Sequence, residues 1–413
     1  MDTLGKTLIT HLLSLALFTG LSDLSFAKST IPNTQTITTW DGGRSLPDNR
    51  PAYLKPFRDP VFGYWITRVS DLQAFSKENL GGGKPSDKLR HYYATNAVWN
   101  SDSSKYMLNF GQVRDSKTNK LLLLVNNYTS LTEFIWSNTY PNIIYGTKGN
   151  AFIKFNIKTR KARTLHVFRG FKNIAFDNLK MFSEGDHYVV ISDVRKGGKK
   201  VAVYDMQNDR IISQIDDIYA HPKITPGKQR IISGISPSGK YVVMIDLHGG
   251  AHVFDQHLNH LRQLTSRDEH ADIGYDADHN EVLVMTCPAT MFRLDTGEST
   301  DLLGKTYGCG HVSTRNQKQP GWAYFSLQND HHDTAYGQPL SAEIIAVRLD
   351  KSGVNVRPLA HSRVTSPCPT DEESYSAMAV PNADGSKVIF NSSWGNPLGE
   401  IDAYIIDVPP LTK

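Results

Sequence analysis

A short polar turn followed by a β-rich run occurs seven times along this chain, and a unit repeated at a fixed period restricts the fold to architectures built from copies of one element. The turns Asn100-Ser101-Asp102, Ser137-Asn138-Thr139 and Ser183 to Asp186 lead into the runs Lys105 to Phe110, Ile143 to Gly146 and His187 to Ser192. The series continues with Ser236 to Gly239, Asp276-Ala277-Asp278, Gln319-Pro320-Gly321 and Asn382 to Gly385, which precede Lys240 to Asp246, Glu281 to Met285, Trp322 to Ser326 and Lys387 to Asn391. The turns hold residues that accept tight backbone angles, and the runs are rich in Val, Ile, Tyr and Phe, which suit a pleated surface. The mean spacing is about 47 residues.

A third run follows each pair: Leu121 to Val125, Ala151 to Ile157, Val201 to Asp205, Ala251 to Asp255, Thr290 to Asp295, Glu343 to Asp350 and Asp402 to Asp407. A fourth often follows, as in Arg163 to Phe168, Arg210 to Ile215, Leu261 to Thr265 and Val354 to Ala360. Four strands per unit of this length is the arithmetic of a propeller blade, so the expectation is an all-β, seven-bladed β-propeller. The seventh unit stops after its third strand while an unassigned run, Tyr64 to Ser70, stands at the front. Tyr64 to Ser70 is therefore expected to complete the last blade and remove its open edge. In the first unit Asn126 to Thr132 leaves little room for a fourth strand.

The chain has 413 residues, and two or three domains would be usual at that length. The repeat instead makes residues 28 to 413 a single domain. Residues 1 to 27 read as an export signal, with Lys6 at its basic start, an apolar stretch from Ile9 to Phe18 and Ser25-Phe26-Ala27 before the cleavage point. The apolar stretch is too short to span a membrane, so the mature chain is expected outside the cytoplasm with no integral membrane segment, as a monomer. Cys287, Cys309 and Cys368 are too few for a disulfide framework, although one bridge, such as Cys309 to Cys368, is open to them. A formal charge of +4 permits an anionic partner but is far from a nucleic-acid binder's basic patches.

Inner strands of a propeller begin at one mouth of the central channel. His91, His221, His270 and His311 are expected there, ahead of the inner strands Tyr92 to Trp99, Lys223 to Thr225, Asp272 to Tyr275 and Val312 to Thr314, with Tyr375 at the equivalent place in the last unit. Such a ring of His and Tyr can transfer protons near neutrality; it can equally be a wet channel lining that only satisfies backbone groups. His331, His332 and Asp333 lie in a long insertion, Leu327 to Ser341, that could overhang the same mouth. No nucleophile elbow, phosphate loop, His-Glu-Xaa-Xaa-His or Cys-Xaa-Xaa-Cys occurs.

Three segments carry a resemblance. His91 to Asp102, Cys309 to Ser313, and Ala360 to Arg363 followed by Asn382 to Phe390 resemble oligogalacturonate lyase and the related propeller polysaccharide lyases, a group that includes ulvan lyases. The similarity runs in order over most of the mature chain through short motifs. It implies cleavage of a uronate-containing glycan by β-elimination, with His91, His270, His311 and Tyr375 as catalytic candidates and Tyr93, His221 and Arg363 facing the substrate. Oligogalacturonate lyase binds manganese through the histidine matching His311 plus a glutamine and two histidines, where this chain carries Glu373, Ser376 and Met378. Its catalytic arginine matches Gly250. The expectation is accordingly no metal site and no cofactor, with a His/Tyr mechanism of the ulvan-lyase kind on an acidic glycan. The alternative is a non-catalytic propeller that binds a glycan or protein outside the cytoplasm.

Overall fold

The computed structural model describes residues 50 to 411, except 79 to 87, 178, 180, 181, 225 to 230, 304 to 308, 328 to 339, 341, 352 to 354, 365 to 375 and 395 to 399. The expected signal segment, the histidines of the sixth-blade insertion, Cys368, Glu373 and Tyr375 lie outside the described residues. The chain forms seven small sheets in a ring, a seven-bladed β-propeller.

Blade 4 illustrates the unit. Its strands Ile231–Ile235, Tyr241–Asp246, Gly250–Asp255 and His260–Thr265 pair antiparallel in sequence order. Tyr241–Asp246 is buried at every position, as is Trp322–Leu327 in blade 6, because neighbouring blades cover both faces of a second strand. These strands therefore read as unbroken apolar runs without alternation. Outer strands such as Lys161–Val167 are largely exposed and carry the charge.

The last blade closes as expected. Trp65–Arg68 pairs with Ile401–Asp407, which pairs with Lys387–Ser392 and then with the inner strand Val380–Pro381. A polar latch seals that joint. Asp402, wholly buried, accepts hydrogen bonds from Arg50 Nε at 2.8 Å, Arg68 Nη1 at 2.9 Å and Ser70 Oγ at 3.0 Å. The single Ser70 hydroxyl hydrogen is shared between Asp402 and the Leu89 carbonyl, 2.6 Å away, and its oxygen accepts the Ala403 amide at 2.8 Å, so one carboxylate and one hydroxyl pin three segments.

The first blade corrects the strand assignment. Trp99 bridges to Tyr106 in the strand Lys105–Leu108, the next strand is Gln112–Asp115, and Leu121–Leu124 is the outer strand rather than the third. The reversal fits into Asn109–Gly111, where Phe110 takes φ +60 and Gly111 φ +69, so the blade needs no strand from residues 126 to 132. The disulfide also differs: Cys287 is bonded to Cys309.

Candidate functional site

Strand direction assigns each group to one end of the channel. His270 immediately precedes the inner strand Ala271–Tyr275 of blade 5, and His311 is the second residue of Gly310–Ser313 in blade 6, so both stand at the mouth where inner strands enter. Their rings lie 4.4 Å apart between centroids. Tyr93 completes the group, edge-on to His311 at 5.1 Å and 6.2 Å from His270. The three rings descend from the surface: His270 is exposed, Tyr93 half-buried and His311 buried.

The disulfide braces this group. Cys287 follows the second strand of blade 5 by two residues, Cys309 lies two before His311, and the intervening Thr286 amide donates to the His270 carbonyl at 2.9 Å. Both histidines are thus tied to one covalent joint between blades 5 and 6.

His91 reaches the same region by another route. It follows the two-residue strand Lys88–Leu89, which pairs parallel with Ile401 and Asp402, and it is not the start of an inner strand as expected. It is fully buried, its amide donates to Asn391 Oδ1 at 3.3 Å, and neither ring nitrogen has a partner within the protein. Neither ring nitrogen of His311 has one either.

Burial dominates the protonation of both. Loss of water disfavours imidazolium, helped by the positive charge of Arg90, and pushes His91 down to about 3. His311 is held well below its ordinary value first by burial, then by His270 and Arg90. Both imidazoles are therefore neutral near pH 7. A charge on exposed His270 would work further against a proton on His311.

Arg90 is a candidate site residue absent from the sequence reading. It is half-buried, lies within electrostatic reach of both His91 and His311, and donates from Nη1 to the Tyr92 carbonyl at 3.2 Å. The available signal was a cation directly before a candidate histidine. Arg90 Nη1 also approaches Met378 Sδ at 3.8 Å.

That contact bears on the metal. Ser376 and Met378, which the resemblance sets against two ligand histidines, offer one hydroxyl and one thioether, and a guanidinium occupies the neighbourhood of Met378; neither suits a manganese ion, which prefers oxygen and imidazole donors. Among the described residues no group of three His, Cys, Asp or Glu is placed to hold a metal. An arginine at position 250 is excluded on this backbone: Gly250 has φ +92, and a Cβ there would collide with the Thr265 carbonyl.

Two further expectations are corrected in placement. The inner strand of blade 4 is Ile231–Ile235, so His221 does not begin it. His221 instead packs 5.3 Å from Phe254 and 6.4 Å from His260, on the third and fourth strands of that blade. Arg363 is committed elsewhere: Nη2 donates to buried Asp59 at 3.1 Å, and the guanidinium stacks 4.2 Å from the Trp394 ring centroid. It ties the segment before the closing strand to the last blades.

A structure of oligogalacturonate lyase in complex with manganese superposes with a TM-score of 0.57 at 11% identity, covering 87% of this chain and 97% of the other. The oligogalacturonate lyase from Vibrio parahaemolyticus gives 0.55 at 10% identity, covering 86% and 96%. The fold is the one oligogalacturonate lyases use. The mitotic checkpoint complex also matches, with a TM-score of 0.51 at 8% identity over 87% and 95% of the two chains, which underlines that a propeller hosts unrelated functions. No family model and no curated protein matches the sequence. Among the described residues no helix is long and apolar enough to cross a membrane.

Proposed function

We propose that this chain is an exported lyase that cleaves a uronate-containing glycan by β-elimination at the mouth holding Arg90, His91, Tyr93, His270 and His311. The observation that carries the reading is the Arg90 cation within electrostatic reach of two buried, neutral imidazoles, one of which is grouped with the rings of Tyr93 and His270. Elimination needs three things: neutralisation of the carboxylate, removal of the adjacent carbon-bound proton, and protonation of the departing oxygen.

Arg90 faces the uronate carboxylate, whose charge its guanidinium can match. Neutral His311 takes the carbon-bound proton, the electron pair forms the ring double bond, and the bond to the departing sugar oxygen breaks. His270, exposed and able to reload from solvent, gives that oxygen a proton. Tyr93, edge-on to His311, positions the sugar against the imidazole pair. Nothing in this sequence requires a metal.

The test is the absorbance of the unsaturated uronate product across a panel of acidic glycans. The expected result is a rise for at least one glycan, falling by about 10²- to 10⁴-fold in His311→Ala. No rise on any glycan, with wild-type growth of a strain carrying His311→Ala, would sink the lyase reading. A second reading, a non-catalytic glycan-binding propeller, is favoured by the near-complete burial of His91 and His311. Saturable binding of an acidic glycan without any absorbance change would select it.

A further inference from the structure

The histidine mouth carries two exposed rings that the proton transfers leave unused. The second strand of blade 1, Lys105–Leu108, runs back toward the mouth at which inner strands begin, so the turn Asn109–Gly111 that follows it lies on that rim. Asn109 clamps the turn to the segment before His91. Its amide donates to the Arg90 carbonyl at 2.7 Å, its Nδ2 donates to the Lys88 carbonyl at 2.9 Å, and its Oδ1 accepts the Arg90 amide at 3.3 Å. Phe110 therefore stands one peptide step, about 3.8 Å, from a residue bonded to Arg90. Tyr92 meets the same turn: its hydroxyl oxygen lies against the Phe110 and Gly111 amides, and Phe134 packs on its ring at right angles, 5.9 Å between centroids.

Both rings reach water, Tyr92 at 38% exposed and Phe110 at 37%. For Phe110 that exposure comes with a backbone cost. Its φ is +60, a region that crowds any side chain and that glycine enters freely. The neighbouring Gly111 is accounted for by packing, since a Cβ there would lie 2.9 Å from Val125 Cβ. Phe110 has no such account, because its ring lies outside the buried core. A strained residue that gains no burial in return points to a use outside the fold.

The surroundings select the ligand. Two rings exposed to this degree offer on the order of 150 Å², far below the roughly 800 Å² that each partner of a stable protein complex contributes. A pyranose fits the smaller scale: one face of the ring is C–H and sheds water onto an aromatic surface, while the hydroxyls at its edge stay hydrated. Position selects which sugar. His270 and His311 open blades 5 and 6, whereas Phe110 belongs to blade 1 and Phe134 to blade 2, on the other side of the ring, with Arg90 beside them. We propose that Phe110 and Tyr92 form a stacking subsite for a sugar residue beyond the scissile pair, so that the protein prefers glycans longer than a disaccharide. The inference rests on the uronate reading of this mouth and adds a further residue of the same glycan to it.

The test uses two-, four- and six-residue fragments of galacturonan, alginate and ulvan with the full chain and with Phe110→Gly, Phe110→Tyr and Tyr92→Ala. Product absorbance gives kcat and KM, calorimetry gives binding, and thermal melting shows that each variant folds. Wild type is expected to favour six-residue over two-residue fragments by about tenfold in kcat/KM. Phe110→Gly and Tyr92→Ala should each reduce that preference severalfold through KM, and Phe110→Tyr should restore it. Phe110→Gly should melt no lower than wild type, since glycine suits φ +60. A folded Phe110→Gly that keeps the full length preference overturns the proposal, as does an equal loss on short and long fragments, the mark of a merely structural role. Length-dependent binding that Phe110→Gly loses, with no absorbance change from any fragment, upholds the subsite and refutes the lyase. Cleavage indifferent to fragment length refutes the subsite and upholds the lyase, and neither binding nor cleavage of any fragment refutes both.

Discussion

Replacing Asp402 by alanine tests how the ring is held shut. The carboxylate is completely buried and takes hydrogen bonds from Arg50, through both Nε and Nη2, from Arg68 and from Ser70. Its removal leaves the Arg68 side chain, 9% exposed, with Asp71 as its remaining counter-charge and Nη1 unpaired, while Arg50 at 30% exposed can turn to solvent. Breaking a buried pair from one side costs about 3–5 kcal/mol. An unfolding entropy of about 2.1 cal/mol/K per residue, over roughly 360 residues, is about 0.76 kcal/mol/K, which turns that cost into a Tm loss of about 4–7 °C. The control is Lys387→Ala. Lys387 pairs with Asp407 in the same blade, but both side chains are exposed, so the pair is worth at most about 1 kcal/mol and the loss should stay below about 1.5 °C. Differential scanning calorimetry reads both variants. Equal Tm losses in the two would refute the argument that closure rests on the buried latch.

Arg90→Ala should lower turnover of a uronate glycan by about 10²- to 10³-fold, with Arg90→Lys recovering part of it, as judged by initial rates. Acid should weaken the fold through His91: the unfolded ring titrates near 6.5 and the folded one near 3, so its contribution is intact above 6.5 and is lost as pH falls toward 3. Between pH 7 and pH 5 the loss is about 2 kcal/mol for this one residue, visible as a shift in urea midpoint that His91→Leu removes. Non-reducing peptide mapping should recover Cys287 joined to Cys309 and Cys368 as a free thiol; a Cys309–Cys368 peptide would contradict the brace beside His311. Arg363→Ala should lower Tm by several degrees with little effect on turnover, since its partners are Asp59 and Trp394.

Much of the ring was legible because covered strands write themselves as apolar runs and each is announced by a polar turn. The closing strand was legible for the same reason: Trp65–Arg68 falls within the run expected to complete the last blade. Blade 1 was misread because Gln112–Asp115 is short and polar, and its buried Arg114 is satisfied by Gln112 and the Asn119 carbonyl, a contact no pattern announces. Leu121–Leu124 looked like the stronger strand and is the outer one. At the site, register sufficed for His270 and His311, which flank adjacent inner strands. It failed for His221, since Pro226-Gly227 separates it from Ile231–Ile235, and for Arg363, whose burial against Trp394 depends on a contact between distant segments. Arg90 joins the site only because Lys88–Leu89 docks on the last blade, an event invisible along the chain.

The unpartnered imidazoles of His91 and His311 make the histidine mouth a place where folding and chemistry pull apart. A leucine or phenylalanine at either position would bury its bulk without leaving polar atoms unpaired, a change of about 1–3 kcal/mol in favour of the folded state. Anyone selecting hardier versions of this protein by heat alone would be led to positions 91 and 311 early, and success at 311 would remove the base on which its proposed chemistry rests.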